Sequence, residues 1–344
     1  GSNSPSNRNK IINGAMVLDQ RNAGASVTPT NGQYTLDRWK AGLAVASKFS
    51  VQQSTTAPDG FSNSLFVTSL SSYAVGSGEL FDIHQLIEGF NTADLGWGTA
   101  SAKTVTLSFW VRSSLTGTFG GSVLNGASNY SYPFSYSISA ANTWEQKTVT
   151  ITGPTAGTWI GSTNGLGMDI YFGLGVGSTY SGTAGSWSAN LYLSATGATS
   201  VVGTSGATFY VTGVQLEAGS VATPFEYRSY GAELSLAQRY YQKSYDIGTV
   251  PGTVTSNGQL GWGAVNASNG EFFQVRYPVF MRAQPTITTY NPANGASGSV
   301  RNTTGGANVT AVINGGGMGG FSNLSAALTT GSSYLLHYTV SAEL

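Results

Sequence analysis

Carboxylates, histidines and cysteines decide which covalent or metal chemistry a chain can carry out, and this sequence holds few of them. Its 344 residues include 15 Asp plus Glu, 2 His and no Cys. Without cysteine there are no disulfides, thiolate metal ligands or cysteine nucleophiles, and the redox compartment stays open. His84 and His337 show no paired metal-ligand spacing, and each reads as an ordinary polar strand residue. No GxSxG elbow or Walker loop occurs, and the GxG runs read as turns. Glycoside hydrolysis needs only two carboxylates. The densest acidic region, Glu79, Asp82, Glu88 and Asp94, sets Asp82 and Glu88 on one strand face, but nothing marks a catalytic pair. The expectation is a protein that is not an enzyme and needs no cofactor. A structural calcium ion is a separate expectation, with Asp59 in its Pro-Asp-Gly turn and Glu217 as ligands. Glu217 bonding turn amides explains that residue equally well.

Binding chemistry is better supplied. Charged residues make up 9% of the chain and its formal net charge is zero, while aromatics reach 12%. Phosphate-driven nucleic-acid binding needs clustered Lys and Arg, which are absent, and there is no basic amphipathic helix for membrane insertion. A low-charge surface rich in Tyr and Trp suits a neutral polar partner such as a glycan. Sugar rings stack their C–H faces on exposed aromatics while polar side chains bond the hydroxyls. Trp97 lies between glycines in NTADLGWGTA, Tyr130 and Tyr132 in ASNYSYPFSYSIS, and Tyr180 and Trp187 in a Gly/Ser/Ala stretch. Rings flanked by glycine are either pinned from above or available to a ligand. These five are the stacking candidates, with Asp82, His84 and Arg112 as polar partners. Each also has a core-packing reading.

These side chains need elements to position them. Gly, Ser, Thr and Asn with many aromatics suit short strands and tight turns. Lys10–Asp19 reads as a first strand. In GELFDIHQLIEG, Phe81, Ile83 and Ile87 share one face, and Asp82, His84 and Glu88 the other. KTVTLSFWVRSS points Val105, Leu107, Phe109 and Val111 inward and Trp110 and Arg112 outward. GMDIYFGLGVG repeats the pattern, and its outward glycines imply close approach by a neighbour. Gly117–Asn142 and Gly177–Gly206 read as long connections. The fold expected is all-β. A polar lead-in with a tag scar (1–9) precedes a jelly-roll β-sandwich (10–228), a short linking helix (229–245) and a smaller C-terminal β domain (246–344).

The stretch from Thr208 to Tyr245 joins the two parts. Phe209 and Val211 share a face with Val214 and Leu216 only if one residue is inserted, which predicts a β-bulge at Thr212-Gly213. The helix itself is expected from about Ala232 to Lys243. Its apolar residues fall on two stripes, Leu234, Ala237 and Tyr241, and separately Leu236 and Tyr240. Two stripes predict two packing partners, so Leu236, Tyr240 and Tyr241 are interface candidates. The C-terminal core looks thin: Phe272, Phe273, Val275, Tyr277, Val279, Phe280, Ile287, Val312, Ile313, Leu324, Leu328, Leu335 and Leu336. Self-association would bury what one copy cannot.

NKIINGAMVLDQRNAG with YTLDRW, the run LIEGFNTADLGWGTASAKTVTLSFWVRSSLTGTFGGS, and above all VTGVQLEAGSVATPFEYRSYGAELSLAQRYYQKSY resemble bacteriophage tail-fibre and tail-associated receptor-binding proteins with a carbohydrate-binding-module-like jelly roll. YPVFMRAQPTITTYNP and the terminal YTVSAEL are similar to the ends of such fibres. The resemblance implies a virion protein of the tail fibre or tail tip. It further implies homotrimers, contacts with other tail proteins and recognition of a bacterial surface glycan. The alternatives are a structural spacer module without glycan binding, or a glycan depolymerase.

Overall fold

The computed structural model describes residues 7–264, 271–305, 308–326 and 328–344. The chain divides into two compact units: Gly1–Leu18, Gly24–Tyr230 and Leu344 in one, Asp19–Ala23 and Gly231–Glu343 in the other.

The first unit is a β-sandwich. Its strands are β1 (Lys40–Leu43), β2 (Phe49–Ser54), β3 (Ser64–Ser69), β4 (Leu80–Glu88), β5 (Val105–Ser113), β6 (Gly117–Asn125), β7 (Ser131–Ile138), β8 (Glu145–Ile151), β9 (Leu166–Val176), β10 (Ser181–Gly182), β11 (Ser194–Ala195) and β12 (Thr208–Ala218). One five-stranded sheet runs β1-β4-β9-β6-β7 and the other β2-β3-β12-β5-β8. Period-2 alternation supplies the core. Val105, Leu107, Phe109 and Val111 on β5 are buried, as are Met168, Ile170, Phe172 and Leu174 on β9. Rings lock the sheets together: Phe109 meets Phe172 edge-on at 5.1 Å, and Phe119 stacks on Phe209 at 6.1 Å.

One connection expected from the sequence is a ladder instead. β6 and β7 occupy most of Gly117–Asn142 and pair from Gly117↔Ile138 to Leu124↔Ser131. Their Tyr- and Ser-rich sequence disguised strands that pack on both faces. Conversely, Lys10–Asp19 forms no strand. Its backbone is held by side chains: the Ile12 N–H donates to Gln85 Oε1 and the Leu18 N–H to Asn13 Oδ1.

The expected bulge is present. The β12–β5 register shifts between Thr212 and Gln215, and Gly213 has φ +60°. The freed groups receive the N-terminal segment, with the Val214 N–H donating to Gly14 O and the Leu216 N–H to Asn9 Oδ1. A Cβ on Gly14 would lie 2.2 Å from Val214 O, so the two backbones touch.

In the second unit, α1 (Tyr230–Gln238, its first residue counted with the sandwich) precedes β13 (Tyr241–Lys243), β14 (Leu260–Gly263), β15 (Glu271–Arg276), β16 (Thr286–Tyr290), β17 (Ser299–Asn302), β18 (Val309–Gly317), β19 (Gly320–Ala326) and β20 (Ser333–Ser341). β20 is the hub, pairing with β13, β14, β16 and β17. Val275, Tyr277, Leu328 and Leu336 are buried as expected, joined by Met281, Tyr334, Tyr338 and Val340. Phe280 departs from that list at 70% exposed, because the chain turns after Tyr277. The side chains of Phe272, Phe273, Val312 and Leu324 lie outside the described residues.

The helix ends five residues early. Tyr241–Lys243, expected as its last turn, pairs with β20 through Tyr241↔Ser341 and Lys243↔Thr339. Aromatic residues favour such a pairing, and its partner lies a hundred residues downstream. The two apolar stripes therefore do not exist as helix faces. Tyr240 and Tyr241 are buried, while Leu236 on α1 is half-buried.

Candidate functional site

Four of the five stacking candidates come together. Trp97 follows a short 3-10 turn, Tyr130 immediately precedes the edge strand β7 and Tyr132 lies near its start, and Trp187 sits between β10 and β11. Trp187 stacks on Tyr130 at 5.5 Å, packs on Tyr132 at 5.2 Å and crosses Trp97 edge-on at 5.4 Å. A fifth ring, Trp159 in the β8–β9 connection, crosses Trp97 at 4.8 Å and Trp187 at 5.4 Å. Each indole N–H donates to a backbone carbonyl: Trp97 to Lys103, Trp159 to Ala156, Trp187 to Thr152. The rings are thus fixed in angle before any ligand arrives.

The flanking glycines serve this packing. A Cβ on Gly98 (φ +82°) would meet Trp159 at 3.0 Å. Trp97 and Tyr132 are buried to 7% and 8% exposure, so they support the cluster from beneath. Tyr130, Trp159 and Trp187 are half-exposed. A pocket of about 210 Å³ opens beside the indoles, lined by Trp97, Trp159, Thr92, Thr99, Ile160 and Ser162. Apolar ring surface bordered by hydroxyls is the lining that a sugar requires. The pocket lies below the roughly 300 Å³ at which drug-sized sites begin.

Asp82 and His84 form a different site. Both lie on the outward face of β4, but each is buried. His84 Nδ1 lies 2.6 Å from Asp82 Oδ1, and its ring stacks on Tyr171 at 4.6 Å. The Tyr171 hydroxyl donates to Asp169 Oδ2 at 3.3 Å. Asp82 Oδ2 and Asp169 Oδ1 are buried without a hydrogen-bond partner among the described residues. Burial pushes the Asp169 carboxyl up to about 6, against the opposing pull of His84, the Tyr171 hydroxyl and Lys40. Burial also holds the Tyr171 hydroxyl well above its ordinary range, with Asp169 adding to the effect. The sequence expectation that Asp82 and His84 bond a sugar beside the tryptophans is corrected. About 13 Å of strand separates His84 from Glu88, where the chain turns toward the indoles.

Arg112 stands on the outward face of β5, in the other sheet, with its guanidinium 5.2 Å from the Tyr210 ring. Tyr180 closes a short 3-10 turn and joins no ring cluster among the described residues. Asp82 and Glu88, six residues apart on one extended strand, are separated by about 20 Å, too far for the paired carboxylates of glycoside hydrolysis. Asp94 is exposed and paired with Lys10 at 2.7 Å.

The calcium ligands expected from the sequence do not fit an ion. Glu217 Oε1 accepts from the Thr223 N–H and Gln215 Nε2, and Oε2 accepts from the Thr223 hydroxyl. Arg8 adds a cation at 3.4 Å. This is a carboxylate tying a turn. Asp59 is exposed, and no group of three or more metal-ligating side chains occurs among the described residues.

Sequence reasoning missed Trp159 and the Tyr171–Asp169 pair. Trp159 had the same signal as Trp97, a ring between glycines in AGTWIGS. Alternation along β9 puts Tyr171 and Asp169 on its outward face, but identifying their partner needs the register His84↔Tyr171.

No protein-family model matches the sequence, and neither does any curated protein. Solved structures similar to the chain include the enzymatically active domain of bacteriophage CBA120 tailspike protein 4 (TM-score 0.35, 15% identity, 62% of this chain covered and 22% of that one). Another is the family 11 carbohydrate-binding module of the Clostridium thermocellum cellulase Lic26A-Cel5E (0.28, 13%, 58% and 99%). A third is the N-terminal cellulose-binding domain of Cellulomonas fimi β-1,4-glucanase C (0.29, 16%, 58% and 99%). The chain spans only about a fifth (22%) of the tailspike structure's length. At these identities and TM-scores the likenesses assign no role to any residue of this chain.

Proposed function

We propose that the sandwich is a glycan-binding module and that the chain serves as a phage tail-fibre or tail-tip protein recognising a bacterial surface glycan. The observation that carries the reading is the pocket beside three crossed indoles, whose N–H groups are all satisfied internally. Such rings offer apolar faces and edges rather than donors, which suits the C–H face of a sugar. Binding without turnover is supported by the wide spacing of Asp82 and Glu88. The virion role rests on the sequence resemblance. The thin second core supports self-association, and the homotrimeric form rests on the resemblance; a sedimentation mass of one chain at micromolar concentration would refute both.

The test is a glycan array probed with the full chain, followed by titration of the best ligand. Ile160→Arg, at an exposed position lining the pocket, should abolish binding, and Trp159→Ala should weaken it about tenfold. Circular dichroism checks that each variant folds. A folded Ile160→Arg variant that still binds at wild-type strength, or an array with no hit, would refute the reading.

A further inference from the structure

The outward face of the β2-β3-β12-β5-β8 sheet belongs to none of the sites above, yet it is built from large rings. One cross-strand row reads Gln52↔Phe66↔Tyr210↔Arg112 from β2 to β5. Trp144, the residue before β8, continues it, since Val111 pairs with Glu145. With strands about 4.8 Å apart, five positions cover on the order of 20 Å. Phe66 and Tyr210 stack in parallel at 4.2 Å and 9°, Arg112 caps the far side of Tyr210 at 5.2 Å, and Trp144 meets Tyr210 edge-on at 5.9 Å. All four are half-exposed.

The donors here are unspent. Arg112 gives Nε–H to Asn142 O, and its two terminal nitrogens have no partner among the described residues. The indole N–H groups of Trp144 and Trp110 have none either, whereas those of Trp97, Trp159 and Trp187 are all bonded. The charge on this face is also one-sided. Of the outward strand residues only Arg112 and Glu217 are charged, and Glu217 is buried against Arg8 and Thr223. Glu145, next along from Trp144, points inward and is neutralised by Lys147 at 2.5 Å.

We infer that this face is a second binding site, separate from the tryptophan pocket, for a carboxylate-bearing polysaccharide. A sugar carboxylate seats on the paired terminal nitrogens of Arg112, a bidentate contact that an ammonium group would not reproduce. The neighbouring ring lies on Trp144, whose N–H bonds a hydroxyl. Phe66 and Tyr210 are positioning residues: Tyr210 holds the guanidinium through cation–π contact, and Phe66 backs the Tyr210 ring. The site works whether or not the pocket binds anything.

The test uses polygalacturonate as the acidic probe and dextran as the neutral one, with the full chain and isothermal titration. Polygalacturonate should bind and dextran should not. Arg112→Gln should lose about tenfold or more in affinity, and Arg112→Lys should recover little of it. Raising salt from 50 to 500 mM should weaken wild-type binding and leave the residual Arg112→Gln binding nearly unchanged. Ile160→Arg, which blocks the pocket, should leave polygalacturonate affinity intact. The proposal fails if polygalacturonate does not bind, if a folded Arg112→Gln chain binds it as wild type does, or if Ile160→Arg removes the binding.

Discussion

On the sheet containing β4 and β9, the outward row Lys40–His84–Tyr171–Ser122 is polar, with His84 and Ser122 buried and Lys40 and Tyr171 half-buried. On the sheet containing β12 and β5, the outward row Gln52–Phe66–Tyr210–Arg112 is aromatic and half-exposed. Both rows come from the same period-2 alternation, so strand pattern does not distinguish them. The difference is made by what lies on top. β11 crosses the first face at its outward glycines: a Cβ on Gly120 would sit 2.3 Å from Ser194 Oγ and 2.7 Å from Ala195 N. Farther along the same face, Asp82, His84, Tyr171 and Asp169 lie against one another and satisfy their polar atoms incompletely, with Asp82 Oδ2 and Asp169 Oδ1 left unpaired among the described residues. The second row is half-exposed, so its rings remain available, and of the charged outward strand residues only Arg112 lacks an oppositely charged partner among the described residues. Burial turns polar residues into structure, and exposure leaves aromatic ones as recognition surface.

The largest effect should come from forcing the covered face open. Gly120→Val drives a branched side chain into β11 and should destabilise the sandwich by about 2–3 kcal/mol in urea unfolding. If stability is unchanged, β11 does not seal that face, and the contrast between the faces fails.

The buried carboxylate gives the next effect, and it depends on pH. Asp169 is raised in the folded state from 3.8 to about 6. Its contribution is therefore fully present below about pH 4 and is lost as pH rises through 6. Above that, the fold carries a buried anion. Asp169→Asn removes this cost, so its stability advantage should be small at pH 4 and grow to about 1–3 kcal/mol at pH 7. An advantage that does not change with pH would show that Asp169 is ionised throughout. His84, Lys40, Asp82 and Tyr171 all act on this group and should be kept unchanged in the comparison.

The smallest effects belong to the open face. Phe66→Ala should cost about 1 kcal/mol through the lost stack on Tyr210, and the exposed Gln146→Ala should stay within about 0.5 kcal/mol. A loss of 3 kcal/mol from Phe66→Ala would mean that this face is as structural as its counterpart.

Much of this was legible beforehand. Alternation alone placed Phe109, Phe172 and Ile83 inward and Trp110, Arg112 and His84 outward. The phase slip between Val211 and Val214 announced the bulge, because one inserted residue is the only way to keep both sides facing the core. Glycine flanks marked Trp97 and Trp187 as special, and equally marked Trp159. What misled were polar or aromatic stretches whose partners are remote. The Tyr-rich run Ser131–Ile138 became a strand through β6, and Tyr241–Lys243 left the helix for β20.

The sequence by itself determined the class of fold, the faces of the strands and the absence of cysteine and clustered-cation chemistry, because these depend on residue type and local spacing. Only the tertiary structure decided which candidates meet. Trp97, Tyr130, Tyr132, Trp159 and Trp187 converge from four separate connections and strands, whereas Asp82 and His84 were enclosed and Arg112 was carried to the opposite sheet. Register and cover are long-range properties: each needs two segments distant in sequence to be placed at once, and no window along the chain contains both.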